Sequence, residues 1–171
     1  MLLAGDIGGT KIHLGLFSKE RGLRRPLAEA VYASSGFNCL EDALTRFLRE
    51  TGRRATKAVL AVAGPVLGGK ARITNLPWAI DEGRLREAFK IRSLRLINDV
   101  EATAASVPFL RKSDLVTLQE GNPVRHGAMA VIAAGTGLGE AFLAWDGKRY
   151  RAFASEGGHA DFAPSTALED D

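Results

Sequence analysis

The chain opens on an apolar run, breaks once, and then alternates apolar with polar positions. Leu2-Leu3-Ala4 leads into Asp6, Gly8-Gly9 breaks the run, and alternation resumes with Ile12, Leu14 and Leu16 opposite Lys11, His13 and Gly15. Period-two patterning around a glycine pair predicts strand, turn and strand over Leu2–Phe17. Glycine takes φ > 0 without strain, so the pair reads as a tight hairpin turn. Ser18–Arg25 is polar, and Leu27–Ala33 resumes as a third strand of a meander. Leu40, Ala43, Leu44, Phe47 and Leu48 then fall at helical spacing, predicting an amphipathic helix over Cys39–Glu50, with Asn38 as its N-cap and Thr51-Gly52 as its close.

Ala58-Val59-Leu60-Ala61-Val62-Ala63 is continuously apolar, as in a buried parallel strand, and Gly64-Pro65 ends it. Gly68-Gly69 turns the chain into Lys70–Thr74, and Asn75–Trp78 is a loop. A short helix opening at Asp81 or Glu82 carries Leu85, Ala88 and Phe89, and a strand over Ser93–Ile97 runs straight into Asn98-Asp99. Asn98 with Glu101 has capping-box spacing for a helix over Val100–Val107, which Pro108 breaks. Phe109–Arg125 is a charged connection containing an expected strand, Leu115–Leu118. Three further strands are expected at Ala128–Ala134, Leu138–Trp145 and Tyr150–Ala154, with Asp146-Gly147 as a hairpin turn. Alternating strands and helices make this an α/β protein. The connection divides it into residues 1–108 and 109–171.

Composition leaves that picture intact. The 171 residues carry a net charge of +3, 46% hydrophobic and 25% charged residues, which is ordinary for a globular protein. The nearest basic runs (Arg21, Arg24, Arg25; Arg53, Arg54, Lys57) have no interleaved aromatics, so no nucleic-acid partner is expected. Nor is a membrane, because no apolar segment is long enough. The single cysteine, Cys39, makes no intramolecular disulfide, and a reducing cytoplasm fits. With no Cys/His cluster, a protein-held zinc is not expected.

The chemistry gathers at glycine-rich turns. A hairpin alone calls for neither the acid before Gly8-Gly9 nor the hydroxyl after it. Both suit a phosphate: backbone N–H groups approach the anion, Thr10 offers a hydroxyl, Asp6 holds a metal through water, and Lys11 adds charge. The pattern returns at Gly135-Thr136-Gly137-Leu138-Gly139, again between two apolar strands. Neither loop is a Walker A or a Rossmann fingerprint. As a pair, they suit two loops closing on one polyphosphate. Asn98 and Asp99 stand at the carboxyl end of a strand, where ligands gather in α/β folds. Glu156 and His159 are separated by two glycines, a turn that aims both side chains into one pocket. His13 and His126 look incidental.

Together, Asp6-Ile7-Gly8-Gly9-Thr10, Asn98-Asp99, Gly135-Thr136-Gly137-Leu138-Gly139 and Glu156-Gly157-Gly158-His159-Ala160-Asp161-Phe162-Ala163-Pro164 resemble the bacterial glucokinases of the sugar-kinase/actin/Hsp70 superfamily. The motifs span the whole chain. The resemblance implies an actin-like (ribonuclease H-like) ATPase fold: a first lobe, the start of a second, and a cleft between them. It implies transfer of the γ-phosphate of ATP, with Mg2+, to the 6-hydroxyl of glucose in the first step of glycolysis, by a homodimer at full length. Asp99 would be the general base. Asn98, Asp99, Glu156, His159 and Gly137 would bind sugar. Asp6, Gly8, Gly9, Thr10, Lys11, Gly135, Thr136 and Gly137 would serve the nucleotide, with Asp6 reaching the metal indirectly. Family members are about twice as long, and Thr166–Glu169 followed by Asp170-Asp171 reads as a capping box and acidic first turn. The chain is therefore expected to be an amino-terminal portion, inactive alone. Two alternatives stay open: a kinase of the repressor/open-reading-frame/kinase family with another sugar, and a non-catalytic actin-like nucleotide-binding protein.

Overall fold

The structure is a computed structural model that describes residues 1–73, 76–135, 137–161 and 163. The chain divides into two compact units, Met1–Asp99 and Val100–Asp171.

In the first unit, β1 (Leu2–Ile7), β2 (Lys11–Phe17) and β3 (Ala28–Ala33) form the expected antiparallel meander. β4 (Lys57–Val62) and β8 (Ser93–Asn98) extend it in parallel, giving the order β3-β2-β1-β4-β8. The alternation explains the layering. Leu3, Ile7, Ile12, Leu14, Leu16, Leu60, Leu94 and Leu96 are buried in a single core together with Leu40, Ala43, Leu44 and Phe47 of α1 (Leu40–Thr51). Each large side chain buried there contributes roughly 1.5–3 kcal/mol. The α1 helix ends as expected, at a left-handed Gly52 whose N–H donates to the Arg49 carbonyl. Its N-cap is Cys39 rather than Asn38, and it has no side-chain cap bond. Burial pushes the Cys39 thiol pKa up.

A smaller antiparallel sheet, β5 (Val66–Leu67), β6 (Lys70–Arg72) and β7 (Ala79–Asp81), follows β4. It turns through Gly68 and Gly69, both at positive φ. Asp81 caps α2 (Glu82–Ala88), accepting the Arg84 N–H at 3.0 Å. Trp78, Ile80 and Leu85 join the core. β8 then ends at Asn98, and Asp99 is the first residue of α3 (Asp99–Ser106).

In the second unit, β9 (Met129–Ala134), β10 (Leu138–Trp145) and β11 (Tyr150–Ser155) form an antiparallel sheet. Ala141 and Leu143 are buried against Ala104, with Val100, Val107, Met129 and Val131 around them. The opposite face carries Ile132, 69% exposed, and a stacked Phe142–Phe153 pair, about half exposed, with ring centroids 5.1 Å apart. The hairpin at Asp146-Gly147 forms as expected. Asp146 accepts the Arg149 N–H, the Arg151 guanidinium N–H and the Lys148 N–H, and these bonds, in that order, hold its pKa at about 2.

Leu115–Leu118 is not a strand. It is irregular, with Val116 86% and Leu118 96% exposed. A short apolar run becomes a strand only where a sheet edge takes up its N–H and C=O groups, and this one pairs with no described strand. The capping box at Thr166–Glu169 lies outside the described residues, as do Thr74, Asn75 and Thr136.

Candidate active site

The first glycine loop is the turn between β1 and β2. The Gly8 N–H donates to the Lys11 carbonyl at 2.9 Å and closes the hairpin. The left-handed glycines among the described residues are Gly22, Gly52, Gly64, Gly68, Gly69 and Gly147. At Gly8, therefore, the need is for room rather than φ: a Cβ there would lie 3.2 Å from the Lys11 carbonyl oxygen. Lys11 begins β2 and is exposed beside the loop.

Asp6 sits one residue before the end of β1, directly across from His13 in β2. Asp99 follows the last residue of β8, so the parallel strands β1, β4 and β8 bring both acids to their common carboxyl end. The Asp6 pKa lies above its ordinary value. Desolvation at the strand end is the larger cause, the negative charge of Asp99 adds to it, and His13 opposes both. His13 in turn shares a hydrogen bond of 2.5 Å with Glu29 of β3. A histidine that looks incidental in the sequence thus stands on the same sheet face as the candidate phosphate-side acid.

Asn98 is half-buried, and its side-chain nitrogen donates to the Gly64 carbonyl at 3.1 Å. This bond ties the end of β8 to the loop after β4 and fixes the backbone from which Asp99 projects. Ser34 went unremarked in the sequence. It is completely buried, its hydroxyl donates to the Gly8 carbonyl at 2.8 Å, and its N–H donates to the Thr10 carbonyl at 2.9 Å. Its only sequence signal is its place immediately after the third strand of the meander.

The second unit gathers the other candidates at the start of β10. The Gly135 N–H donates to the Gly137 carbonyl at 2.9 Å, and Leu138 begins the strand. A short 3-10 turn, Gly157–His159, packs against the same strand. Gly158 has no room for a side chain, because a Cβ would overlap the Leu138 carbonyl. Glu156 and His159 flank that contact with their side chains exposed, Oε2 and Nε2 3.5 Å apart. The second glycine of Glu-Gly-Gly-His is thus explained by close approach, and the turn sets the two polar side chains beside the second glycine loop. Within each unit the structure brings that unit's candidates together: Asp6, Gly8, Gly9, Thr10, Lys11, Asn98 and Asp99 in the first, Gly135, Gly137, Glu156 and His159 in the second. Among the described residues no three His, Cys, Asp or Glu side chains assemble into a metal cage. None of the described helices is long and apolar enough to cross a membrane.

Residues 3–171 match the family model described as glucokinase. The chain belongs to the glucokinase family. It is 43% identical over 173 residues to a glucokinase of Nostoc sp. (strain PCC 7120 / SAG 25.82 / UTEX 2576), covering 99% of this chain and 50% of the relative. The crystal structure of a glucokinase from an Antarctic psychrotroph matches with a TM-score of 0.84 at 30% identity, over 99% of this chain and 54% of that one. A glucokinase of the ROK family from Streptomyces griseus, solved with glucose and AMPPNP, shares the fold, with a TM-score of 0.58 at 22% identity over 88% of this chain and 46% of that one. The α/β architecture is thus that of the actin-like sugar kinases, as expected. The chain spans about half the length of the curated glucokinases it matches.

Proposed function

We propose that this chain is the amino-terminal half of a hexose kinase that transfers the γ-phosphate of ATP to the 6-hydroxyl of glucose. The observation that carries the reading is the grouping of Asp99 with Asp6 and the Gly8-Gly9-Thr10 hairpin at the carboxyl end of three parallel strands. Membership of the glucokinase family supports it, and so do the glucose and AMPPNP bound by the Streptomyces griseus relative.

In this reading Asn98, Glu156 and His159 hold the sugar hydroxyls, with Gly137 beside them. The Asp99 carboxylate takes the proton of the 6-hydroxyl as its oxygen attacks the γ-phosphorus in line. The new oxygen–phosphorus bond forms as the bond to the β-phosphate oxygen breaks, and ADP leaves. Backbone N–H groups of the Gly8–Lys11 and Gly135–Gly137 loops, with Thr10 and Thr136, cradle the phosphates, and Lys11 offsets their charge. A magnesium ion bound to the nucleotide would neutralise developing charge, with Asp6 as its partner through water. The Asp6 carboxylate offers the hard oxygen donor that a nucleotide-borne magnesium ion takes through water. The same reading makes glucose and ATP the partners, places the enzyme in the cytoplasm at the first step of glycolysis, and makes it a homodimer at full length.

A coupled assay of ADP release by the full-length protein, run over a panel of sugars, tests the proposal. Release that depends on glucose and is weaker with other hexoses is the expected result. No release with any sugar, or release only with a different sugar, overturns it.

A further inference from the structure

Ser34 is the one fully buried polar side chain among the described residues, and it devotes both of its hydrogen-bond donors to one short loop. Its place follows from register. Ala33, the last residue of β3, pairs with Lys11, so the next residue falls beside the turn between β1 and β2. There the Ser34 hydroxyl donates to the Gly8 carbonyl at 2.8 Å and its N–H donates to the Thr10 carbonyl at 2.9 Å. Ser34 is itself held, because its carbonyl accepts the Phe37 N–H at 3.2 Å and closes the 3-10 turn Ser34–Gly36.

A peptide unit is planar and trans, so its carbonyl and the following N–H point in opposite directions. Drawing the Gly8 and Thr10 carbonyls toward Ser34 therefore aims the Gly9 and Lys11 N–H groups away from it. An anion site made of backbone needs that arrangement: donors must face the phosphate, and carbonyl oxygens turned the same way would repel it. We propose that Ser34 is the positioning residue of the Gly8–Lys11 phosphate hairpin, turning two carbonyls away from the phosphate and presenting the Gly9 and Lys11 N–H groups to it. The inference rests on the kinase reading above and adds to it a residue that does not itself touch substrate.

The test uses the full-length protein with Ser34→Ala, which removes the hydroxyl and keeps the N–H, and Ser34→Cys, which fits the site but donates weakly. Ser34→Ala is expected to lower kcat/KM for ATP by about tenfold, the loss typical of one buried hydrogen bond, while KM for glucose changes less than about twofold. Ser34→Cys is expected between Ser34→Ala and wild type. A drop in Tm with kcat/KM for ATP unchanged overturns the proposal and leaves Ser34 only a packing role.

Amide exchange of the wild-type protein with added tripolyphosphate reads the site without turnover and without a variant that must fold. Slowed exchange at Gly9 and Lys11 is expected, and unchanged exchange there overturns the proposal. Protection of those amides in a protein that releases no ADP with any sugar would sink the kinase reading and sustain the role of Ser34. An active enzyme lacking the protection would do the reverse.

Discussion

Asp6 and Asp99 come from strand ends more than ninety residues apart in sequence, yet the pKa of Asp6 registers the charge of Asp99. Desolvation at the end of β1 raises that pKa first, Asp99 raises it further, and His13 on the neighbouring strand counters both. Two carboxylates held together in this way favour the protonated form of one of them.

This relationship has a signed consequence for stability. Because the folded pKa of Asp6 lies above its ordinary value of 3.8, the folded state binds more protons than the unfolded state between those two values. Stability falls as pH rises through that window and stays lower above it. Asp6→Asn should therefore raise Tm at pH 7, and the gain should vanish below the ordinary carboxylate range. Paired thermal scans of wild type and variant across pH check this, and an equal or lower Tm at pH 7 would refute it.

Glu156 and His159 flank a turn seated on β10 and present exposed polar groups 3.5 Å apart. If they read sugar hydroxyls, losing either leaves a polar site unpaired, at a cost of about 1–3 kcal/mol. Glu156→Ala should raise KM for glucose and weaken the preference over its epimers. Unchanged KM and unchanged preference would remove Glu156 from the site.

Gly158 offers a test through backbone alone. Gly158→Ala places a methyl group on the Leu138 carbonyl, so the turn must shift, at the ~1–3 kcal/mol typical of overpacking. The variant should raise KM for glucose although it changes no polar group. Kinetics matching wild type would show that the turn does not depend on this contact.

The uncovered face of the β9–β11 sheet predicts the behaviour of the 171-residue polypeptide by itself. Ile132, Phe142 and Phe153 form an apolar patch opposite the face that packs on Val100, Ala104 and Val107. Such surfaces drive association. The isolated polypeptide should sediment as oligomers or aggregates, and joint replacement of Phe142 and Phe153 by serine should lower that tendency. A monodisperse monomer at high concentration would contradict this. It should also phosphorylate glucose at no measurable rate.

Strong periodicity made most of the fold legible. The hairpin at Gly8-Gly9, the apolar strand at Ala58–Val62 and the α1 stripe each follow from spacing alone. Leu115–Leu118 shows the limit, because its apolar, β-branched composition resembles a strand's while pairing depends on an edge that local sequence does not encode. Asn38 and Cys39 differ by one position, the usual uncertainty at a helix start. The acids and glycines of the candidate site were legible because their chemistry is unusual in a turn. Ser34 was not, since its role comes from the register of β3 against β2. The pairing of His13 with Asp6 could have been counted outward from the hairpin, because residues equidistant from the turn face each other.

If Asp99 takes the proton of the sugar hydroxyl, Asp99→Asn in the full-length enzyme should abolish most of the turnover. The substitution keeps the shape of the side chain and removes the base. Turnover of glucose and ATP should fall by ~10²–10⁴-fold, while glucose affinity stays within about an order of magnitude. A variant retaining more than about a tenth of wild-type turnover would contradict the account, because losses that small fall below those of general-base catalysis.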